Sequence, residues 1–195
     1  MTVFNLVRHG AYHLVGHGLG GRAPHALSEE GLAQAARVAL ALGERPVAAL
    51  LSSPVRRAWE TASVIGDRLG LAVADAPEFT EIDFAGWTGL SFAALEAQPA
   101  WRAWNRFRST AAVPGGETML AVQARAMAGL RRLAAAWPDG EVVVVSHADV
   151  IKAVLAHVLG APLDLLHRIE VAPASTSRLA VAEEDAVVLG INLPA

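Results

Sequence analysis

The chain has 195 residues and a mass of 20.4 kDa, long enough to bury a substantial core in one domain, with a formal net charge of −3 and a pI near 6.1. That charge offers no global attraction to nucleic acid, and the absence of cysteine excludes disulfides, thiolate metal sites and a cysteine nucleophile. No apolar run is long enough to span a bilayer, and the start, MTVFNLVRHG, lacks the pattern of a signal peptide, so a soluble cytoplasmic protein without membrane contact is expected.

Along the chain, TVFNLV (2–7) reads as a short buried strand, followed by a glycine-rich stretch to about residue 27. Ser28 can cap a helix that carries Glu29 and Glu30 in its first turn and ends at Gly43. VAALLSS (47–53) is a second strand, and the helix after it starts at Pro54 and stops at Gly70. LAVADAP (71–77) holds a third, short strand. Residues 79–116 are less regular and read as an excursion or lid, with a helix expected over SFAALEAQPAWRAWNRF (91–107) and a loop at VPGGET. A long helix is expected over roughly 117–137. EVVVVS (141–146) has the continuous apolar character of a strand buried on both faces, and it runs directly into the helix ADVIKAVLAHVLG. TSRLAVA and AVVLGIN, separated by EED, form a terminal hairpin or adjacent antiparallel strands. Such alternation predicts a single α/β domain over 1–195, with a mostly parallel sheet.

The stretch LVRHGAYHLVGHGLGGR (6–22) admits three chemistries. His9, His13 and His17 recur at helical spacing, as metal ligands on one helix face would, but Gly10, Gly16 and Gly18 break such a helix and no glutamate lies between them. Gly16, Gly18 and Gly21 formally match a dinucleotide loop, yet the strand ends too early and positions 39–43 hold no acidic residue. Neither a metal nor a nucleotide cofactor is therefore expected. The third reading concerns Arg8-His9-Gly10 alone, at the carboxyl end of the first strand, where α/β sheets present their ligands.

Two more strand ends carry matching chemistry. LSSPVRRAWETA delivers Arg57, beside Arg56, on the first turn of a helix, and EVVVVSHADVIKA delivers His147 at a helix N-terminus, an anion site through its free N–H groups. FTEIDFAGW places Glu81 and Asp83 in a loop between them. Two histidines, two arginines and a carboxylate at one sheet edge suit phosphoryl transfer to histidine, where catalysis is mostly positioning and charge neutralisation.

Taken together, LVRHG (6–10), SSPVRRAWETA (52–62), EIDFAGWTG (81–89), PGGE (114–117) and VVSHADVIKA (144–153) resemble the histidine phosphatase superfamily, with its phosphoglycerate-mutase-like three-layer α/β/α sandwich around a mixed sheet. The resemblance spans nearly the whole chain and implies that His9 becomes phosphohistidine. Arg8, Arg57 and His147, with Ala148 at the helix start, would hold the phosphoryl group, Glu81 would donate the proton, and no metal is needed. Arg56 would be a surface residue. The implied activity is a metal-independent phosphatase for a small phosphorylated metabolite. The alternatives are a phosphoglycerate mutase, disfavoured by the chain's length, and a silent phospho-ligand binder, disfavoured by retention of all five residues. Oligomeric state is open, a homodimer included.

Several positions depart from the family's pattern. Ala11 and Tyr12 follow RHG where an acidic or amide residue and then Thr or Ser are common, Val15 stands where many relatives carry asparagine, Ala85-Gly86 and Thr88 alter the segment around Trp87, and HAD stands where a glycine commonly follows the second histidine, which puts Asp149 near an anion site. Asp149 would either cap its helix or set a negative charge against a phosphate. Tyr12 and Arg22 are substrate candidates, Arg22 as a cation able to grip phosphate in place of the asparagine that Val15 replaces. For His13 and His17 a packing or solvated role competes with substrate contact. His25, His157 and His167 read as structural or surface residues. Trp101, Trp104 and Phe107 at spacings of three suggest a packed helix face, with a lid over the site as second choice and nucleic-acid stacking opposed by the overall charge.

Overall fold

The computed structural model describes residues 1–183 and 185–194. Strands β1 (Thr2–Arg8), β2 (Val47–Ser52), β3 (Val73–Asp75), β4 (Glu141–Ser146), β5 (Thr176–Val181) and β6 (Ala186–Leu193) form one sheet in the order β3-β2-β4-β1-β5-β6. The β3–β2, β2–β4 and β4–β1 pairs are parallel, while β5 runs antiparallel to both β1 and β6. The two C-terminal strands are thus the expected antiparallel pair, and Glu184, in the middle of the EED connection, lies outside the described residues.

Helices α1 (Glu29–Leu42) and α2 (Arg56–Leu69) cover one face of the sheet, and α5 (Met119–Ala136) and α6 (Ala148–Val158) the other. The valine run of β4 shows how the sequence sorts the layers. Val142 and Val144 join Phe4, Leu6, Leu130 and Val154 in one core, whereas Val143 and Val145 join Val7, Leu50, Val38 and Ile65 in the other. All six β4 residues are buried, as a strand flanked by parallel neighbours and covered on both faces requires. The result is a three-layer α/β/α arrangement around a mixed sheet.

Local signals set the ends. The Ser28 side chain accepts from Gly31 N–H and the Thr118 side chain from Ala121 N–H, so both act as N-caps. Gly70 closes α2 in the left-handed region at φ 68°. The helix expected over 91–107 is instead two, α3 (Phe92–Glu96) and α4 (Pro99–Arg106). Pro99 has no N–H to donate and disfavours helical geometry at the residue before it, and Gln98 is accordingly extended at φ −92°, ψ 122°. The bend turns Trp101 and Trp104 inward, where they meet Phe84 and Trp87 edge-on. The stretch 79–116 thus contributes Phe79, Ile82, Phe84, Trp87, Trp101 and Trp104 to the same core as α5 and α6, while much of the rest of it is exposed. No helix among the described residues is long and apolar enough to cross a membrane.

Candidate active site

Parallel pairing brings three strand ends to one edge. Arg8 lies opposite Ser146 and Ser52 opposite Val145, and the ladder continues one residue further as His9 N–H donates to the Ser146 carbonyl and Ser53 N–H to the Val145 carbonyl (both 2.9 Å). His9 and His147 follow directly, with ring centroids 5.1 Å apart. Arg57 projects from the first turn of α2 between them, 1% exposed. The turn after β1 is held against α1: a Cβ on Gly10 would overlap the Gly31 carbonyl, and one on Gly31 the Ala11 carbonyl. Gly10 N–H donates to Thr61 Oγ1 (3.0 Å), which fixes the peptide beside the His9 ring.

Arg57 is the hub of the cluster. Its Nε donates to His9 Nε2 (3.0 Å), while Nη2 donates to the Gly21 carbonyl (2.8 Å) and to His147 Nδ1 (3.2 Å). His9 Nδ1 is 2.8 Å from the Gly10 carbonyl, which selects the tautomer with hydrogen on Nδ1 and the lone pair on Nε2. Ser53 Oγ lies 2.8 Å from His147 Nε2 and orients the second ring. Glu81 Oε2 is 3.7 Å from both Arg57 Nη2 and His147 Nδ1, and Oε1 accepts from Ile82 N–H (3.0 Å). Arg8 donates through Nη1 to the Val171 carbonyl (2.7 Å), and its Nε is buried without a hydrogen-bond partner among the described residues.

Burial governs the protonation of this cluster. It lowers His9 well below the usual imidazole value, and Arg57 and Arg8 lower it further. His147 is lowered for the same first reason, then by Arg57 and His9. Both rings are thus neutral near pH 7. Glu81 moves the other way, pushed up to about 7 by burial and then by the negative charge of Asp149, against the opposing pull of Arg57 and Arg8. A carboxylic acid that holds its proton near neutrality thus sits beside an imidazole that holds a lone pair.

These groups open on a cavity of about 310 Å³ whose walls include Arg8, His9, Glu81 and Ala148. Tyr12 lines it too, edge-on to His9 at 5.5 Å and stacked on His25 at 5.6 Å, with the Arg57 guanidinium over its ring at 4.9 Å. Arg22 is placed differently. It donates to the Glu81 carbonyl (2.8 Å) and the Glu117 carboxylate (2.7 Å) and lies 3.7 Å from Asp83, so its charge is spent on anchoring the Glu81 segment. His13 and His17 are both exposed, and His13 also lies edge-on to Tyr12 and His25. His157 and His167 are exposed, away from the cavity, and Arg56 pairs with Glu60 on the surface of α2. Asp149 takes the inward alternative: its side chain caps nothing, it lines the cavity, and it accepts from Arg108 Nη1 (2.8 Å). Among the described residues, no group of three or more His, Asp or Glu side chains is placed to hold a metal ion.

Some supporting residues do not stand out in the sequence. Ser53 and Thr61 lie inside the SSPVRRAWETA motif, so their position is visible there though their partners are not. Arg108 has only the basic-aromatic run as a signal, because its role depends on the turn after α4 meeting Asp149 at the start of α6.

The fold and the site together define a histidine phosphatase. The chain belongs to the histidine phosphatase superfamily (branch 1), whose sequence signature matches residues 4–194. It is 35% identical to the glucosyl-3-phosphoglycerate phosphatase of Mycobacterium tuberculosis (strain ATCC 25618 / H37Rv) over 168 residues, covering 81% of this chain and 75% of that protein. The solved structure of mycobacterial glucosyl-3-phosphoglycerate phosphatase Rv2419c in complex with VO3 superposes with a TM-score of 0.89 at 31% identity, covering 98% of each chain. YhfR of Bacillus stearothermophilus shares the fold with a TM-score of 0.94 at 23% identity, over 100% of this chain and 98% of that one.

Proposed function

We propose that the chain is a metal-independent phosphatase that hydrolyses small phosphomonoesters through a phosphohistidine on His9, with Glu81 as proton donor. The observation that carries this reading is the pairing of opposite protonation states at one cavity: a buried imidazole held neutral and a buried carboxyl held near 7. The lone pair on His9 Nε2 attacks phosphorus in line as the ester P–O bond breaks, and Glu81 gives its proton to the departing oxygen. Arg8, Arg57, His147 and the Ala148 N–H neutralise the equatorial oxygens, and in doing so Arg57 exchanges its bond to His9 Nε2 for one to phosphate. Water then attacks the phosphohistidine, giving its proton to the Glu81 carboxylate. Cleavage of the P–N bond releases inorganic phosphate and restores both groups.

Phosphatase names among the relatives and the presence of all five groups in one cluster favour turnover over silent binding. Against a panel of phosphate esters, the wild-type chain should release inorganic phosphate, and His9→Ala should lose at least about a thousandfold in kcat/KM. Full activity in His9→Ala, or no turnover of any ester by the wild type, would refute the reading.

A further inference from the structure

The cavity wall facing the histidines carries a closed ion pair. Arg108 donates to Asp149 Oδ1 (2.8 Å) and to Asn105 Oδ1 (2.8 Å), and its guanidinium lies over the Trp104 ring at 4.0 Å. Asn105 is committed as well, because its Nδ2 donates to the Trp101 carbonyl (3.0 Å). Asp149 Oδ2 makes no hydrogen bond among the described residues, which leaves one anionic acceptor on that wall. Phe92 and Trp101 beside it supply an apolar surface, their rings inclined at 32°.

We propose that Asp149, held by Arg108, is a specificity-determining residue that directs this site to phosphate esters of uncharged, hydroxyl-bearing groups, polyols or sugars, and away from esters that carry a carboxylate. The inference rests on the phosphatase reading above and names the substrate class for the same site.

The charge inventory drives it. Arg8 and Arg108 are the two arginines lining the cavity. Arg8 is claimed by the phosphoryl group together with Arg57 behind it, and Arg108 is neutralised by Asp149. Of the cations set further back, Arg22 is bound to Glu117 and Asp83, and Lys152, on the helix that carries Asp149, does not line the cavity. A substrate carboxylate would find no unpaired cation here and would face Asp149, a like charge in a poorly solvated cleft. A hydroxyl instead donates to Oδ2, and the C–H face of a polyol or sugar packs on Trp101 and Phe92. A volume of about 310 Å³ limits the organic group to a small one.

Glycerol 3-phosphate and 3-phosphoglycerate form the test pair, since they differ only in CH2OH against carboxylate. The wild-type chain should favour glycerol 3-phosphate in kcat/KM by about tenfold or more. Asp149→Asn frees Arg108 and should pull that ratio toward unity by raising 3-phosphoglycerate turnover. Arg108→Gln leaves Asp149 uncompensated and should widen the ratio, so either variant alone suffices if the other does not fold. The ratio cancels any common effect on Glu81, because both esters use the same proton donor. A wild-type ratio at or below unity, or a ratio unmoved in every variant that folds, would overturn the proposal. So would turnover of p-nitrophenyl phosphate without turnover of glycerol 3-phosphate, which spares the phosphatase reading. Loss of turnover on all three esters would bring down both.

Discussion

A histidine attacks phosphorus only with a free lone pair, and His9 keeps one because burial and two arginines make its protonation costly. The same low-dielectric setting acts oppositely on Glu81, since it penalises the charged form, here the carboxylate. The groups facing that carboxyl are Arg57, Arg8, His147 and Asp149, and only Asp149 brings a like charge. Glu81 is therefore protonated below about 7 and ionised above it. The phosphorylation step should slow as pH rises through about 7, while His9 limits the rate only well below pH 6.5. Asp149→Asn removes the like charge, so the descending limb in a single-turnover pH profile should move to lower pH. A limb that stays in place or moves up would contradict this account of Glu81.

At the scale of elements, the loop that carries Glu81 is tied down by a charged relay. Glu117, from the PGGE segment, accepts from Asp83 N–H (2.9 Å), from Arg22 (2.7 Å) and from Arg125 (3.1 Å). Glu117→Ala leaves Arg22 without its strongest partner and should lower kcat by about ten- to a hundredfold with little change in KM, as steady-state kinetics would show. The neighbouring α4 is fixed by packing. Trp104 is fully buried against Phe84 and Trp87, and Trp104→Ala should cost about 3–5 kcal/mol in chemical denaturation. Sequence periodicity identifies the packed face of this segment but hides the break at Pro99, because the aromatic spacing begins just beyond it and reads as one continuous helix. Trp101 lies in the core and also lines the cavity.

For the whole molecule, legibility follows chain locality. His9, Arg8, Arg57 and His147 can be placed from sequence because each stands at a strand end or at a helix start just beyond one, and parallel pairing carries those ends to one edge. β4 can be placed because a residue run that must be apolar on both faces has few other uses. The Arg108–Asp149 pair cannot, since 41 residues separate the partners and only the fold brings the turn after α4 to the start of α6. Arg22 likewise reads as a spare cation in the sequence, whereas the fold surrounds it with the Glu81 carbonyl and the carboxylates of Glu117 and Asp83. The proposed function turns on one claim, that phosphorus is bonded for a time to His9. Rapid acid-free quenching of the chain mixed with a radiolabelled phosphomonoester, followed by peptide mapping, tests it directly. The account predicts one acid-labile, base-stable phosphoryl group on the peptide containing His9, absent in His9→Ala. Label on any other residue, or steady turnover with no label on protein at any time, would contradict it.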